Sequence, residues 1–189
     1  MARSGLLTKI GIGLLGAVAV FSVVVATRPS HFHVERSIVV AAPPEAVFPL
    51  IDDFHRWHEW SPWEQLDPGM KRVYSGPATG PGATYEWAGN QDVGSGSMRI
   101  TSSRAPSQVT VALEFKEPWQ ASNTALFDIA VAQGGASITW GMDGASNFVF
   151  KAISMFMDMD SMVGKDFETG LQNLARLAQS GAAPPAASP

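Results

Sequence analysis

The chain has 189 residues, 46% of them apolar, enough to bury the core of one domain with segments to spare. It contains no cysteine, which excludes a disulfide framework, a thiolate metal site and a cysteine nucleophile. The formal charge is −4 and no run of Lys or Arg interleaves with aromatics, so the electrostatic footprint of a nucleic-acid binder is missing.

Arg3 and Lys9 precede IGIGLLGAVAVFSVVVA, residues 10–26, an uncharged apolar run that Leu6 and Leu7 extend. A bilayer-spanning helix needs about 20 apolar residues and a secretory h-region about 7–15, and this run falls between them. It reads as an N-terminal transmembrane helix anchoring the protein over residues 1–27, with a signal peptide cleaved after Ala26 as the alternative. Basic residues before a span stay cytoplasmic, which predicts a single-pass membrane protein whose C-terminal domain is extracytoplasmic, in the periplasm. Without Arg3 and Lys9 the remainder carries 11 basic against 17 acidic residues, so docking on anionic lipid through basic side chains is not expected.

Residues 28–31 form a linker, 32–179 the folded domain, and SGAAPPAASP, 180–189, a disordered Pro/Ala tail. Within the domain FHVERSIVV reads as a strand, and Pro43-Pro44-Glu45 opens a short helix over AVFPLI. A second short helix runs from Phe54 to about Trp60, where Pro62 ends it. The strands KRVYSG, ATYEW, SGSMRITSS, QVTVALEF, NTALFDIAVA and ASITWGM follow, separated by turns rich in Gly, Pro, Asn and Asp. From Phe148 onward Phe156, Met159, Val163, Phe167, Leu171, Leu174 and Leu177 recur at three and four residues, the period of one long amphipathic helix. The plan is α+β: a curved antiparallel sheet of about six to seven strands wrapped around the C-terminal helix, with two short helices after the first strand.

Strand alternation assigns faces. The apolar sides carry Tyr85 and Trp87; Met98 and Ile100; Val109, Val111, Leu113 and Phe115; Phe127, Ile129 and Val131; and Ile138, Trp140 and Met142. Glu86, Arg99, Glu114 and Asp128 fall on the opposite side, so these strands offer no titratable group for general acid–base catalysis. Arg36 shares parity with Val34, Ile38 and Val40; it either reaches inward to an anionic head group or snorkels at the strand's end. His31, His33, His55 and His58 form two pairs that fall short of a three-ligand zinc site, GSGS at 94–97 is a hairpin turn rather than a nucleophile elbow, and no phosphate loop or dinucleotide fingerprint is present. No catalytic residue, metal or cofactor is therefore assigned. Trp57 and Trp60 share one helical face, as core or as a pocket wall, while Pro62 is expected to turn Trp63 elsewhere.

The order of elements and particular stretches resemble a known family. VERSIVVAAPPEAVFPLIDDFHRWHEWSPW, LDPG, Tyr74-Ser75-Gly76, the 80–83 turn GPGA, Trp87-Ala88-Gly89, GSGSM at 94–98, Ile138-Thr139-Trp140 and DFETGL at 166–171 are similar to the polyketide cyclase/dehydrase and lipid-transport (START-like, SRPBCC) superfamily, and more narrowly to its membrane-anchored bacterial members. The resemblance implies a helix-grip fold with an apolar cavity between sheet and long helix. Its members include lipid carriers, cyclases, hydrolases and stress-related binders. The cavity candidates here are Trp57, Trp60, Tyr85, Trp87, Met98, Phe115, Phe127, Trp140, Met142, Phe156 and Met159, with Arg36 for a head group. The leading expectation is a membrane-tethered domain that binds a lipid or other apolar small molecule. A cyclase-, dehydrase- or hydrolase-type enzyme using the same cavity, and a structural or partner-binding envelope protein, are the alternatives.

Overall fold

The computed structural model describes residues 2–146, 148–155 and 158–182; within its helices the side chains of residues 2–11, 149, 159 and 182 lie outside the description. The chain divides into two compact units, Met1–Phe32 with Ser146–Asp158, and His33–Ala145 with Met159–Pro189.

The first unit holds helices α1 (Ala2–Ala26) and α3 (Phe148–Ile153). Its linker is tied down locally: Ser146 N–H donates to Ser30 O at 2.8 Å, Lys151 Nζ reaches Ser30 Oγ at 3.1 Å, and Phe32 stacks on Phe150 at 5.1 Å. Among the described residues no helix is long and apolar enough to cross a membrane. The described side chains of α1 begin only at Ile12, short of the roughly 20 residues a span requires.

The second unit is a seven-stranded sheet with helices on one face. Strands β1 (His31–Val40), β2 (Lys71–Ser75), β3 (Thr84–Ala88), β4 (Ser95–Arg104), β5 (Gln108–Glu117), β6 (Ala121–Ala132) and β7 (Gly135–Ala145) lie in the order β1-β7-β6-β5-β4-β3-β2. β2 to β7 form an antiparallel meander, and β1 returns to the edge beside β7. The strands come from alternation, as expected, and the count settles at seven.

Helix α2 (Pro44–Asp52) starts on Pro44, whose missing N–H costs nothing at a helix start. The last carbonyls of any helix lack intrahelical partners, and here the indoles supply them: Trp60 Nε1 donates to Leu50 O and Trp57 Nε1 to Ile51 O, both at 2.9 Å. Trp57 sits on a 3-10 turn, Phe54–Glu59, and Trp60 caps its end, its backbone N–H donating back to Trp57 O; positions three apart nearly eclipse in such a turn, and the two rings lie 4.9 Å apart. Asp53 caps that turn by accepting from His55 N–H at 2.9 Å.

Two expectations are corrected. Pro62 does not turn Trp63 away; it opens a second 3-10 turn, Pro62–Gln65, that carries Trp63 edge-on to Trp140 and Phe167 at 5.7 and 6.3 Å. The run from Phe148 is not one helix but α3 and then α4 (Met159–Ala182), because Asp158 and Asp160 place negative charge where a helix starts rather than continues. α4 also runs past Ser180, into the stretch read as tail.

Candidate functional site

The helix-bearing face of the sheet has two ends of different character. At one end it is filled. Phe127 and Trp60 are fully buried, Trp57 and Trp140 nearly so, and Phe167 of α4 stacks on Trp140 at 4.1 Å with the rings almost parallel. Trp140 also stacks on Phe127 at 4.9 Å and meets Trp60 edge-on at 5.6 Å. Helix α4 comes this close because of Gly170, where an added Cβ would sit 2.8 Å from the Trp140 ring.

At the other end the same face is unevenly covered, with Tyr85, Asn123 and Gly144 buried. The cross-strand row Tyr85, Met98, Leu113, Asn123, Gly144 runs from β3 to β7, and beyond it lie Trp87, Gly96 and Phe115. Trp87, Met98, Leu113 and Phe115 are each only partly covered, whereas Met142, one row inward, is buried. Trp87 lies flat across Gly96, where a Cβ would come within 2.4 Å of its ring. It donates from Nε1 to Val93 O at 3.0 Å and meets Phe115 edge-on at 5.8 Å.

Between the two ends sits a polar group. Glu64 is 7% exposed; its Oε1 accepts from the Tyr85 hydroxyl at 2.5 Å and its Oε2 from Arg72 Nε at 2.8 Å. Burial, then the bond to Glu64, push the Tyr85 phenol far above its usual range, so it remains a neutral donor. Tyr74 stacks on Tyr85 at 5.0 Å and His55 on Tyr74 at 4.2 Å, and burial raises Tyr74 as well. Phe54, His55 and Tyr74 line a cleft of about 210 Å³, below the roughly 300–1,000 Å³ of usual small-molecule pockets. A shallower hollow of about 470 Å³ lies between Pro43-Pro44 and the Gly134-Gly135 turn. Among the described residues no cluster of three or more metal-ligating side chains occurs.

The sequence candidates therefore separate. Trp57, Trp60, Phe127 and Trp140 come together at the filled end; Trp87, Met98 and Phe115 gather at the half-open end; Tyr85 and Met142 lie between. Phe156 lies outside the described residues, as does the side chain of Met159. Arg36 faces α4, where Nε donates to Glu168 Oε1 at 2.9 Å and Nη2 to Asp160 Oδ2 at 3.0 Å. Val131, expected on the apolar face, is 83% exposed because β6 runs beyond the helices into its hairpin.

Two residues were missed. Glu64 reads as an ordinary surface charge, since its partners lie on later strands. Asn123 carried a signal, because it shares parity with Phe127 and Ile129; it is 9% exposed and its Oδ1 has no hydrogen-bond partner. Trp140 Nε1 is likewise buried without one.

Known structures share this architecture. Protein CV1439 from Chromobacterium violaceum is 15% identical with a TM-score of 0.55, matching 80% of this chain and 99% of its own. Protein of unknown function SA2116 from Staphylococcus aureus is 14% identical with a TM-score of 0.56, over 80% and 95% of the two chains. Protein Ms6760 from Mycobacterium smegmatis is 16% identical with a TM-score of 0.54, over 80% and 92%. At these identities the likeness is one of fold. No curated protein matches the chain. The model of one family does, over residues 31–179, the whole span from β1 to nearly the end of α4, and the chain belongs to that family, polyketide cyclase/dehydrase and lipid transport.

Proposed function

We propose that this chain is a membrane-tethered binding domain, residues 32–179, that holds a lipid or other apolar small molecule on the half-open end of its sheet. The observation that carries the reading is the set of partly covered apolar side chains there, Trp87, Met98, Leu113 and Phe115, on the face that elsewhere packs tightly against α4. Uncovered apolar surface of this kind gains by being covered, and a largely apolar wall with a few polar groups is the usual make-up of a small-molecule site. The candidate rings of the filled end, Trp57, Trp60, Phe127 and Trp140, with Met142 between the ends, then act as the floor behind it.

The tether is the second half of the proposal. Ile12, Leu14, Leu15, Val18, Val20 and Val23 are all exposed on α1, and Arg3 and Lys9 precede them, which supports a membrane anchor with the domain in the periplasm. Trp119, 66% exposed, stands in the β5–β6 turn at the half-open end. An exposed indole suits the lipid–water interface.

Native mass spectrometry of the full chain released from lipid nanodiscs tests the binding. A co-purified apolar molecule is expected. A folded chain that carries none, and whose tryptophan fluorescence ignores fatty acids, phospholipids and polycyclic compounds at micromolar concentration, would favour the partner-binding alternative, which the ring-filled end supports. Carbonate washing tests the anchor: recovery of a soluble chain beginning at Thr27 would replace it with a cleaved signal.

A further inference from the structure

We infer that Asn123 is the polar anchor of this site and that it selects ligands carrying a neutral hydrogen-bond donor, an apolar molecule ending in a hydroxyl, over matched ligands without one. The inference rests on the binding reading above and narrows its ligand class. Asn123 lies on the helix-bearing face of β6, between Leu113 on β5 and Gly144 on β7. Gly144 opposite it has no side chain to offer the carboxamide a hydrogen bond. Its Oδ1 is buried and unpartnered. A buried acceptor left unmade costs stability that a valine or threonine in this strand would avoid, so the position is explained by a partner that arrives from outside the chain.

The chemistry of that partner follows from what surrounds it. The row of Asn123 is apolar on the β5 and β4 side, Leu113 and then Met98, so the body of the ligand is apolar. A carboxylate is disfavoured, because Oδ1 would face its negative charge and the two arginines on this face are committed, Arg72 to Glu64 and Arg36 to Asp160 and Glu168. A hydroxyl donates one bond to Oδ1 and brings no charge into the apolar face.

The experiment compares 1-octanol with 1-methoxyheptane, of equal size but without a donor, and with octanoate. Each is titrated into the full chain in nanodiscs, with tryptophan fluorescence and native mass spectrometry as readouts. Octanol is expected to bind about five- to tenfold tighter than the ether, the range of one net hydrogen bond, and octanoate more weakly than octanol at pH 8. Asn123→Leu should abolish the octanol preference and keep the ether affinity. The variant-independent readout is the Asn123 carboxamide signal in NMR spectra of the wild type, which should move with octanol and not with the ether. Equal affinity for alcohol and ether, tighter binding of the ether, a preference that survives Asn123→Leu, or an unmoved carboxamide signal overturns the inference while the binding reading stands. Failure of all three probes overturns the binding reading itself.

Discussion

The two ends of one sheet face use aromatic side chains in opposite ways. At the Trp140 end, rings from β6, β7, α4 and the 3-10 turns contact one another, and the indole N–H groups of Trp57 and Trp60 are spent on helix carbonyls. At the Trp87 end the rings stand partly uncovered, and each is supported from beneath by its own sheet, Trp87 by Gly96 and Phe115. The difference is set less by residue type than by what lies opposite: α4 packs on the first end through Gly170, and no described side chain of α4 stacks on the second. Aromatic content alone thus does not distinguish the two ends. Coverage does.

The largest test of that contrast is Trp60→Ala. A fully buried indole with a satisfied N–H should cost about 3–5 kcal/mol in urea unfolding, whereas Phe115→Ala, half-buried, should cost about half as much while weakening apolar ligands. Equal costs would erase the distinction between the ends. Next comes Glu64→Leu, which leaves Arg72 and Tyr85 without their acceptor; because Arg72 keeps partial access to water, about 2 kcal/mol is expected rather than the full cost of a buried unpaired charge. A neutral result would show that the polar group is incidental to the fold.

Glycines sharpen the comparison at smaller scale. In a helix Gly→Ala gains about 1 kcal/mol of propensity. At Gly170 the new methyl meets the Trp140 ring, which is locked in a stack, and overpacking of about 1–3 kcal/mol should outweigh the gain. At Gly164 it meets the end of the Arg36 side chain, which can swing aside at the expense of exposed ion pairs. Gly170→Ala is therefore expected to lower the unfolding midpoint and Gly164→Ala to leave it unchanged or raise it. The same sign at both positions would mean that α4 is not held tightly at the filled end.

The sheet was legible from the sequence because a period of two leaves a pattern in every strand, and Val109, Val111, Phe127, Ile138 and Trp140 all lie where alternation put them. What was not legible depends on partners far along the chain. Nothing near Glu64 announces Arg72 or Tyr85. Trp63 was misplaced because a proline was taken as an end, when it also begins a new turn. The split of the last helix was written in Asp158 and Asp160 but masked by an apolar period that continued through them. Of the candidate site, the residues were named, yet their division between the two ends was not, since which rings α4 covers depends on one glycine whose neighbour is thirty positions away.

The smallest expected effect lies on the outer face, behind the half-open end. His33 Nδ1 stands 2.9 Å from Asp143 Oδ1, and Nε2 3.5 Å from Glu35 Oε2, joining β1 to β7 where the linker enters the sheet. The bond to Asp143, with the charges of Asp143 and Glu35, raises the imidazole above its ordinary 6.5. A raised folded value means that the protonated form is the one the fold favours. The pair's contribution is therefore complete below pH 6.5 and fades as pH rises through the folded value. With the ring about half-exposed, screening by water holds the effect to about 0.5 kcal/mol or less. His33→Asn should thus lower stability slightly at pH 5.5 and not at pH 8.5, and the loss at the lower pH should shrink in about 1 M salt, where the Debye length falls to roughly 3 Å. Because His33 faces away from the helix-bearing side, ligand affinity should not change with it. A cost that is the same at both pH values would mean that the histidine acts through packing, and a change in affinity would mean that the half-open end is held in shape from behind by this pair.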